Sequence, residues 1–237
     1  TDLQELGAPL RWVVNTHAHF DHTFGNQRFG PGSAANLSLY GHQRLPAHLD
    51  EYERPRLAAW RAGTGQEPHR DWDDVVITPP THLVDHRRWL DLGGRAVELV
   101  PLAPGHTDND LVLHVPGIGG SVDGGVWIVG DVLEQPSPPM YGSGCFPMSW
   151  PDALAGLLAE VEPGEVIVPG HGQPVSRAFG LAQPTELATV ADRIKYHHAA
   201  KESVEEALST QLDWPFPVET LALAVSRGYA QLDTTVS

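Results

Sequence analysis

The feature that most constrains this chain is a pattern met four times along it: an apolar, strand-like run ends and a residue able to ligate a metal follows. "RWVVNTHAHFDH" (Arg11 to His22) is the densest case, with His17, His19, Asp21 and His22 inside six positions. "PLAPGHTDND" sets His106 after Gly105 in a turn between two apolar runs, "VWIVGDVLEQ" sets Asp131 after Gly130, and "VIVPGHGQP" sets His171 after Gly170. On an extended segment alternate residues share a side, so His17, His19 and Asp21 are expected to face one way and His22 the other. Glycine before a ligand lets the backbone come close or take a positive φ that bulkier residues resist. Neutral imidazoles and carboxylates suit zinc or iron, which take N and O donors at about 2.0 to 2.2 Å.

The remaining composition narrows the chemistry. With 237 residues, 41% of them hydrophobic, the chain can bury a core as one large domain or two small ones. Fifteen Lys and Arg stand against 30 Asp and Glu, and the net charge of −15 repels phosphate backbones and anionic membrane surfaces. No stretch approaches the roughly 18 consecutive apolar residues of a membrane span. The expected partner is therefore a small-molecule substrate, with no nucleic acid and no membrane. Cys145 is the single cysteine, so no disulfide framework or cysteine-rich zinc module can form within the chain. This fits a reducing compartment, and a cytoplasmic location is expected unless a signal peptide once preceded Thr1.

The rhythm along the chain is mixed. "RWVVNT" reads as a strand, and residues 42–63 read as helix interrupted by Pro46 and Pro55. "DVVIT", "HLVD", "RWLDL", "AVELVPL", "DLVLHV" and "VWIVG" read as strands separated by turns, several of them antiparallel neighbours. Residues 150–163 have the spacing of an amphipathic helix, "EVIVPG" reads as a further strand, and residues 185–210 predict one long helix before a last helix over "PVETLALAVSRGYAQL". Interleaved strands and helices point to a layered α/β sandwich.

The ligand residues, in this order, resemble the metallo-β-lactamase superfamily. Its His-x-His-x-Asp-His motif is matched by His17, His19, Asp21 and His22, its Gly-His-Thr element by Gly105 to Thr107, its Gly-Asp by Gly130 and Asp131, and its late Gly-His by Gly170 and His171. The resemblance implies a four-layer αββα sandwich over residues 1–180 and a C-terminal helical extension over 181–237 packed on the same domain. It implies one metal held by His17, His19 and His106, a second by Asp21, His22 and His171, and Asp131 bridging. The ions would be two zincs per chain, with iron or manganese as other candidates. Members usually have several strands before the His motif, whereas 16 residues precede His17, so the first strands are expected to be missing. An unpaired sheet edge left by that loss would favour covering it, for example in a homodimer.

The expected chemistry is hydrolysis of a small-molecule ester, thioester, lactone or amide by a metal-bound hydroxide, with Asp21 and Asp131 as catalytic carboxylates that orient the nucleophile and take its proton. The best-known β-lactamases place a cysteine on the second metal; here Asp131 stands in that neighbourhood, which argues against β-lactam hydrolysis as the main role. Cys145 has no motif that would make it a nucleophile. The other classes weighed are an iron-dependent oxidoreductase of the persulfide dioxygenase kind on the same ligands, and a non-catalytic binding protein, whose mark would be a lost ligand. Residues 134–150, with Met140, Tyr141, Phe146 and Trp150, read equally as an apolar wall for substrate or as a loop packed on the domain. His197 and His198 are expected on a solvated helix face, and His42, His48, His69, His82, His86 and His114 at surface or packing positions.

Overall fold

The computed structural model describes residues 7, 9–64, 70–120, 124–210 and 213–235. It divides into two compact units, one ending at Asp85 and the other beginning at His86. His69 lies outside the described residues.

The first unit is built on a three-stranded parallel sheet of β1 (Trp12–Val14), β2 (Ser38–His42) and β3 (His82–Val84), in that order. Parallel neighbours need crossover segments, and these carry α1 (Phe20–Thr23) in the first case and a continuous helical run in the second. That run passes from α2 (Leu45–His48) through a π-helical turn (Leu49–Glu53) into α3 (Arg54–Arg61). Pro55 has no N–H to give, and the helical hydrogen-bond pattern changes just before it. The helix predicted over 42–63 is present, but His42 ends a strand, and β2 itself escaped the sequence reading. "DVVIT" does not pair as a strand either. Pro79 and Pro80 follow it and lack ladder donors; Arg61 instead gathers the carbonyls of Trp72, Asp73 and Val75 at 3.2, 2.9 and 2.6 Å. The unit's core joins Ala18, Phe24, Leu45, Leu49, Leu57, Trp60, Trp72 and Ile77.

The second unit carries a six-stranded sheet in sequence order: β4 (Arg88–Asp91), β5 (Ala96–Pro101), β6 (Leu111–Val115), β7 (Val126–Gly130), β8 (Val166–Pro169) and β9 (Val175–Ser176). All pairs are antiparallel except β7 with β8, and α4 (Trp150–Glu160) supplies the crossover that this parallel pair requires. After the sheet come α5 (Arg177–Gly180), α6 (Gln183–Ala199), α7 (Val204–Ser209) and α8 (Ala222–Thr235). Trp150, Ala153, Leu154, Leu157 and Leu158 bury the predicted apolar stripe of α4. Trp150, Leu154, Leu157 and Leu158 share one core with Val112, Trp127 and Ile167 of the sheet, Leu187, Val190 and Ile194 of α6, and Ala224 and Val225 of α8. Each such large aliphatic side chain contributes roughly 1.5 to 3 kcal/mol by burial.

The long helix expected over 185–210 is broken. Lys201 takes φ 59°, which ends α6, and Ser203 starts α7 with a capping box: its Oγ accepts from Glu206 N–H at 3.2 Å while its own N–H donates to Glu206 Oε2 at 2.7 Å. The break corrects the expectation for His197. Its ring is fully buried, paired with Glu202 and stacked on Trp214, because the chain reverses just beyond it. His198 pairs with Asp233 of α8 at 2.8 Å. Among the described residues, no helix is long and apolar enough to cross a membrane.

Candidate functional site

In the first unit the candidate ligand residues sit where β1 gives way to α1. Ala18 is buried in the core, so its neighbours His17 and His19 turn to the other side together, as period-two geometry predicts. Nε2 of His17 lies 3.1 Å from Nδ1 of His19. Beyond His19 the expectation fails. Phe20 begins a helix, each residue now turns by about 100° instead of 180°, and His22 comes round to lie against His17 with ring centroids 4.2 Å apart. Asp21 is exposed, and its carboxylate is 3.5 Å from His22 Nε2.

Two buried asparagines that the sequence reading passed over brace this turn. Asn15 and Asn26 exchange side-chain amide hydrogen bonds at 3.0 and 2.9 Å. Asn15 also donates to the carbonyl of His22 at 2.8 Å, and Asn26 to that of Thr78 at 3.0 Å. Thr23 Oγ1 closes on the carbonyls of Ala18 and His19, both at 3.0 Å. Asn is a common loop residue, so nothing in the letters alone separates these two from ordinary turn formers.

In the second unit the candidate ligand residues come from strand ends. The tips of the parallel pair β7 and β8 are joined by Gly170 N–H donating to Gly130 O at 2.8 Å, so the residues that follow, Asp131 and His171, stand side by side. Gly130 holds φ 57°, the conformation glycine adopts without strain. His171 Nε2 is 3.4 Å from Asp131 Oδ2, and His106 Nε2 approaches the same oxygen at 3.7 Å. His106 is fully buried, with its ring edge against Trp150 at 5.1 Å. Its turn is held by Asp110, whose carboxylate accepts from Thr107 N–H at 3.0 Å and Thr107 Oγ1 at 2.6 Å. Burial pushes the Asp110 carboxyl up to about 7 against those bonds.

These spacings suit divalent ions. Two donors on one tetrahedral zinc, each at about 2.0 to 2.2 Å, stand roughly 3.3 to 3.6 Å apart. The contacts among His17 and His19, and among His106, Asp131 and His171, lie close to that separation. The 3.4 and 3.7 Å contacts are too long for direct hydrogen bonds of ordinary strength. A Cβ added at Gly170 would fall 1.9 Å from Asp131 Oδ1, so this glycine keeps the carboxylate's place clear. Each unit thus presents His and Asp donors of the kind that bind divalent ions.

Residues 134–150 divide along the two readings. Tyr141 and Trp150 are buried against one another at 5.2 Å and pack the domain, whereas Met140 is exposed. Cys145 is fully buried, and burial pushes its thiol up to about 12, which leaves no thiolate at neutral pH.

Comparison with known proteins bears on the family and the fold. A family model described as the metallo-beta-lactamase superfamily matches residues 1–171. No curated protein matches the chain. Among solved structures, a stereoselective inverting sec-alkylsulfatase from Pseudomonas sp. aligns over 96% of this chain and 43% of its own, at 16% identity and TM-score 0.70. A beta-lactamase domain protein from Burkholderia ambifaria aligns over 96% and 69%, at 18% identity and TM-score 0.62. A metallo-beta-lactamase from Pontibacter korlensis aligns over 77% and 71%, at 17% identity and TM-score 0.56. The chain spans less than half the length of the sulfatase. The fold is the mixed α/β sandwich type that these proteins share.

Proposed function

The chain belongs to the metallo-β-lactamase superfamily, and from that we propose that it is a dinuclear, zinc-dependent hydrolase of a small-molecule ester, thioester, lactone or amide. The observation that carries the proposal is the position of Asp131, whose one carboxylate oxygen faces the imidazoles of both His106 and His171. A carboxylate so placed is suited to serve two ions at once. The ligand roles follow the family motif: His17, His19 and His106 for one ion, Asp21, His22 and His171 for the other, and Asp131 for both.

When bound, two divalent ions would lower the pKa of water from 15.7 to about 7 and stabilise negative charge developing on the substrate. The chain's residues do the rest. Asp131, almost wholly buried, holds a fixed direction from which to orient the attacking water. Asp21, open to solvent, can accept the proton and pass it to bulk water. Two divalent ions would set four positive charges against these two carboxylates, a cationic site within an acidic protein that would draw an anionic or polarised carbonyl substrate.

The test is a panel of chromogenic ester, thioester, lactone, sulfate ester and cephalosporin substrates, assayed before and after chelation. The sulfate ester belongs there because one structural neighbour is a sec-alkylsulfatase. Hydrolysis of an ester, thioester or lactone that is lost on chelation and restored by zinc supports the proposal, and turnover of the cephalosporin alone contradicts it. Turnover that persists in the metal-free protein, or an iron-dependent oxidation with no hydrolysis, contradicts it.

A further inference from the structure

Behind His19 lies a buried pair that the proposed chemistry does not use. His48 and Glu53 are both closed off from solvent, and Glu53 Oε1 stands 3.9 Å from His48 Nε2. One donor atom each from His19, His48 and Glu53 fall within 4.8 Å of one another. The rings of His19 and His48 meet edge to face at 5.5 Å. On its far side Glu53 is anchored by Arg56, whose Nε donates to Oε2 at 2.9 Å, while the Arg56 guanidinium lies over the rings of Phe20 and Trp60 at 5.8 and 5.7 Å.

The local backbone is what brings the pair together. His48 and Glu53 are five residues apart, and in an α-helix five residues turn the side chain about 140° away from its start. The segment Leu49–Glu53 is instead a π-helical turn, in which residues five apart are joined by the hydrogen-bond pattern and share a face. Such turns are rare and concentrate at functional sites. This one sets a carboxylate into a closed interior, where an ionised group is costly unless it interacts with positive partners. Glu53 Oε1 accepts no hydrogen bond among the described residues. The oxygen not held by Arg56 is therefore the one that faces the His48 imidazole in a low-dielectric surrounding.

We propose that Glu53 and His48 are positioning residues for His19, with Arg56 anchoring Glu53, Glu53 orienting His48, and both fixing the proton of His19 on the nitrogen turned away from His17. Nδ1 of His19, 3.1 Å from Nε2 of His17, is then kept as a lone-pair donor for a metal. Arg56 already balances the charge of Glu53, so the trio supports His19 and is not the seat of a further ion. The inference rests on His19 being a metal ligand, as proposed above.

The experiment compares wild type, Glu53→Gln and His48→Gln by zinc competition against a chromogenic chelator, by the visible absorption of the cobalt-loaded proteins, and by the melting of the metal-free forms. Both variants should bind one ion about 10- to 100-fold more weakly and shift the cobalt bands; metal-free His48→Gln should melt as wild type does, and Glu53→Gln, which breaks the pair with Arg56, should melt lower. His48→Gln leaves the Glu53–Arg56 pair intact, so it carries the test should Glu53→Gln fail to fold. Unchanged zinc affinity and cobalt spectra in variants whose wild type binds normally overturn the inference alone. A third zinc in wild type that both variants lose overturns it in favour of a metal seat. A wild type that binds neither zinc nor cobalt removes the proposed function, and the inference with it.

Discussion

Gly170 and Asp131 stand so close that a Cβ on the glycine would lie 1.9 Å from the aspartate's Oδ1. Because an aspartate side chain is short, it cannot give way without leaving its place beside His106 and His171. Gly170→Ala should therefore weaken metal binding and turnover by tenfold or more, about 1.4 kcal/mol at least, while the fold persists. Chelator competition and steady-state kinetics read both. An alanine variant with wild-type metal affinity would show that the Asp131 carboxylate does not need this position.

Asn15 should behave differently, because it supports the His turn without donating to a metal. Asn15→Ala removes its bonds to Asn26 and His22 and leaves buried polar groups without partners. A loss of about 1 to 3 kcal/mol is expected per group left unsatisfied, measured by chemical denaturation, with metal affinity falling too. A variant as stable as wild type would mean that the asparagine pair does not brace the turn.

Cys145→Ala should leave turnover essentially unchanged, since the buried thiol stays protonated at neutral pH. In the native protein Cys145 should also resist thiol reagents until denaturant is added. A dead alanine variant that still folds and binds metal would restore the thiol as a participant.

Glu165 offers a test by pH. Burial alone would raise its carboxyl, but the N–H of Glu162, the Trp127 indole and the His114 imidazole override this and hold it below the usual carboxylate range. A depressed folded pKa contributes stability that is complete above the unfolded value of about 4.3 and is lost as pH falls through the folded value. Wild type should thus lose stability below about pH 4 more steeply than Glu165→Gln. At pH 7 the variant should be weaker by about 1.5 to 3 kcal/mol, the range for hydrogen bonds to a charged group. Equal stability at pH 7 would contradict the assignment.

What was legible in the letters was whatever depends on local pattern. The alternation that buries Ala18 in the core and turns His17 and His19 the other way is readable, and so are the strands ending at Gly130 and Pro169, because each is a short apolar run closed by a turn signal. What was not legible depends on distant partners. Ser38–His42 carries a polar, glycine-containing sequence and becomes a strand only because β1 and β3 flank it. Asp74–Thr78 has strand composition, yet Arg61 claims the carbonyl of Val75 and those of Trp72 and Asp73 just before it. His22 was misplaced because a helix beginning at Phe20 replaces one periodicity with another. His197 was misplaced because the reversal at Lys201, a residue with no turn preference of its own, closes over it. The pairing of His48 with Glu53 was invisible to α-helical spacing, since it depends on a π turn.

The most direct test of the central claim is elemental analysis of the purified protein by plasma mass spectrometry, with Asp131→Ala run beside it. The account predicts about two zinc ions per wild-type chain and the loss of one, together with most activity, in a variant that still folds. An iron-loaded protein without hydrolytic activity, or an Asp131→Ala variant that retains both ions and full turnover, would contradict it.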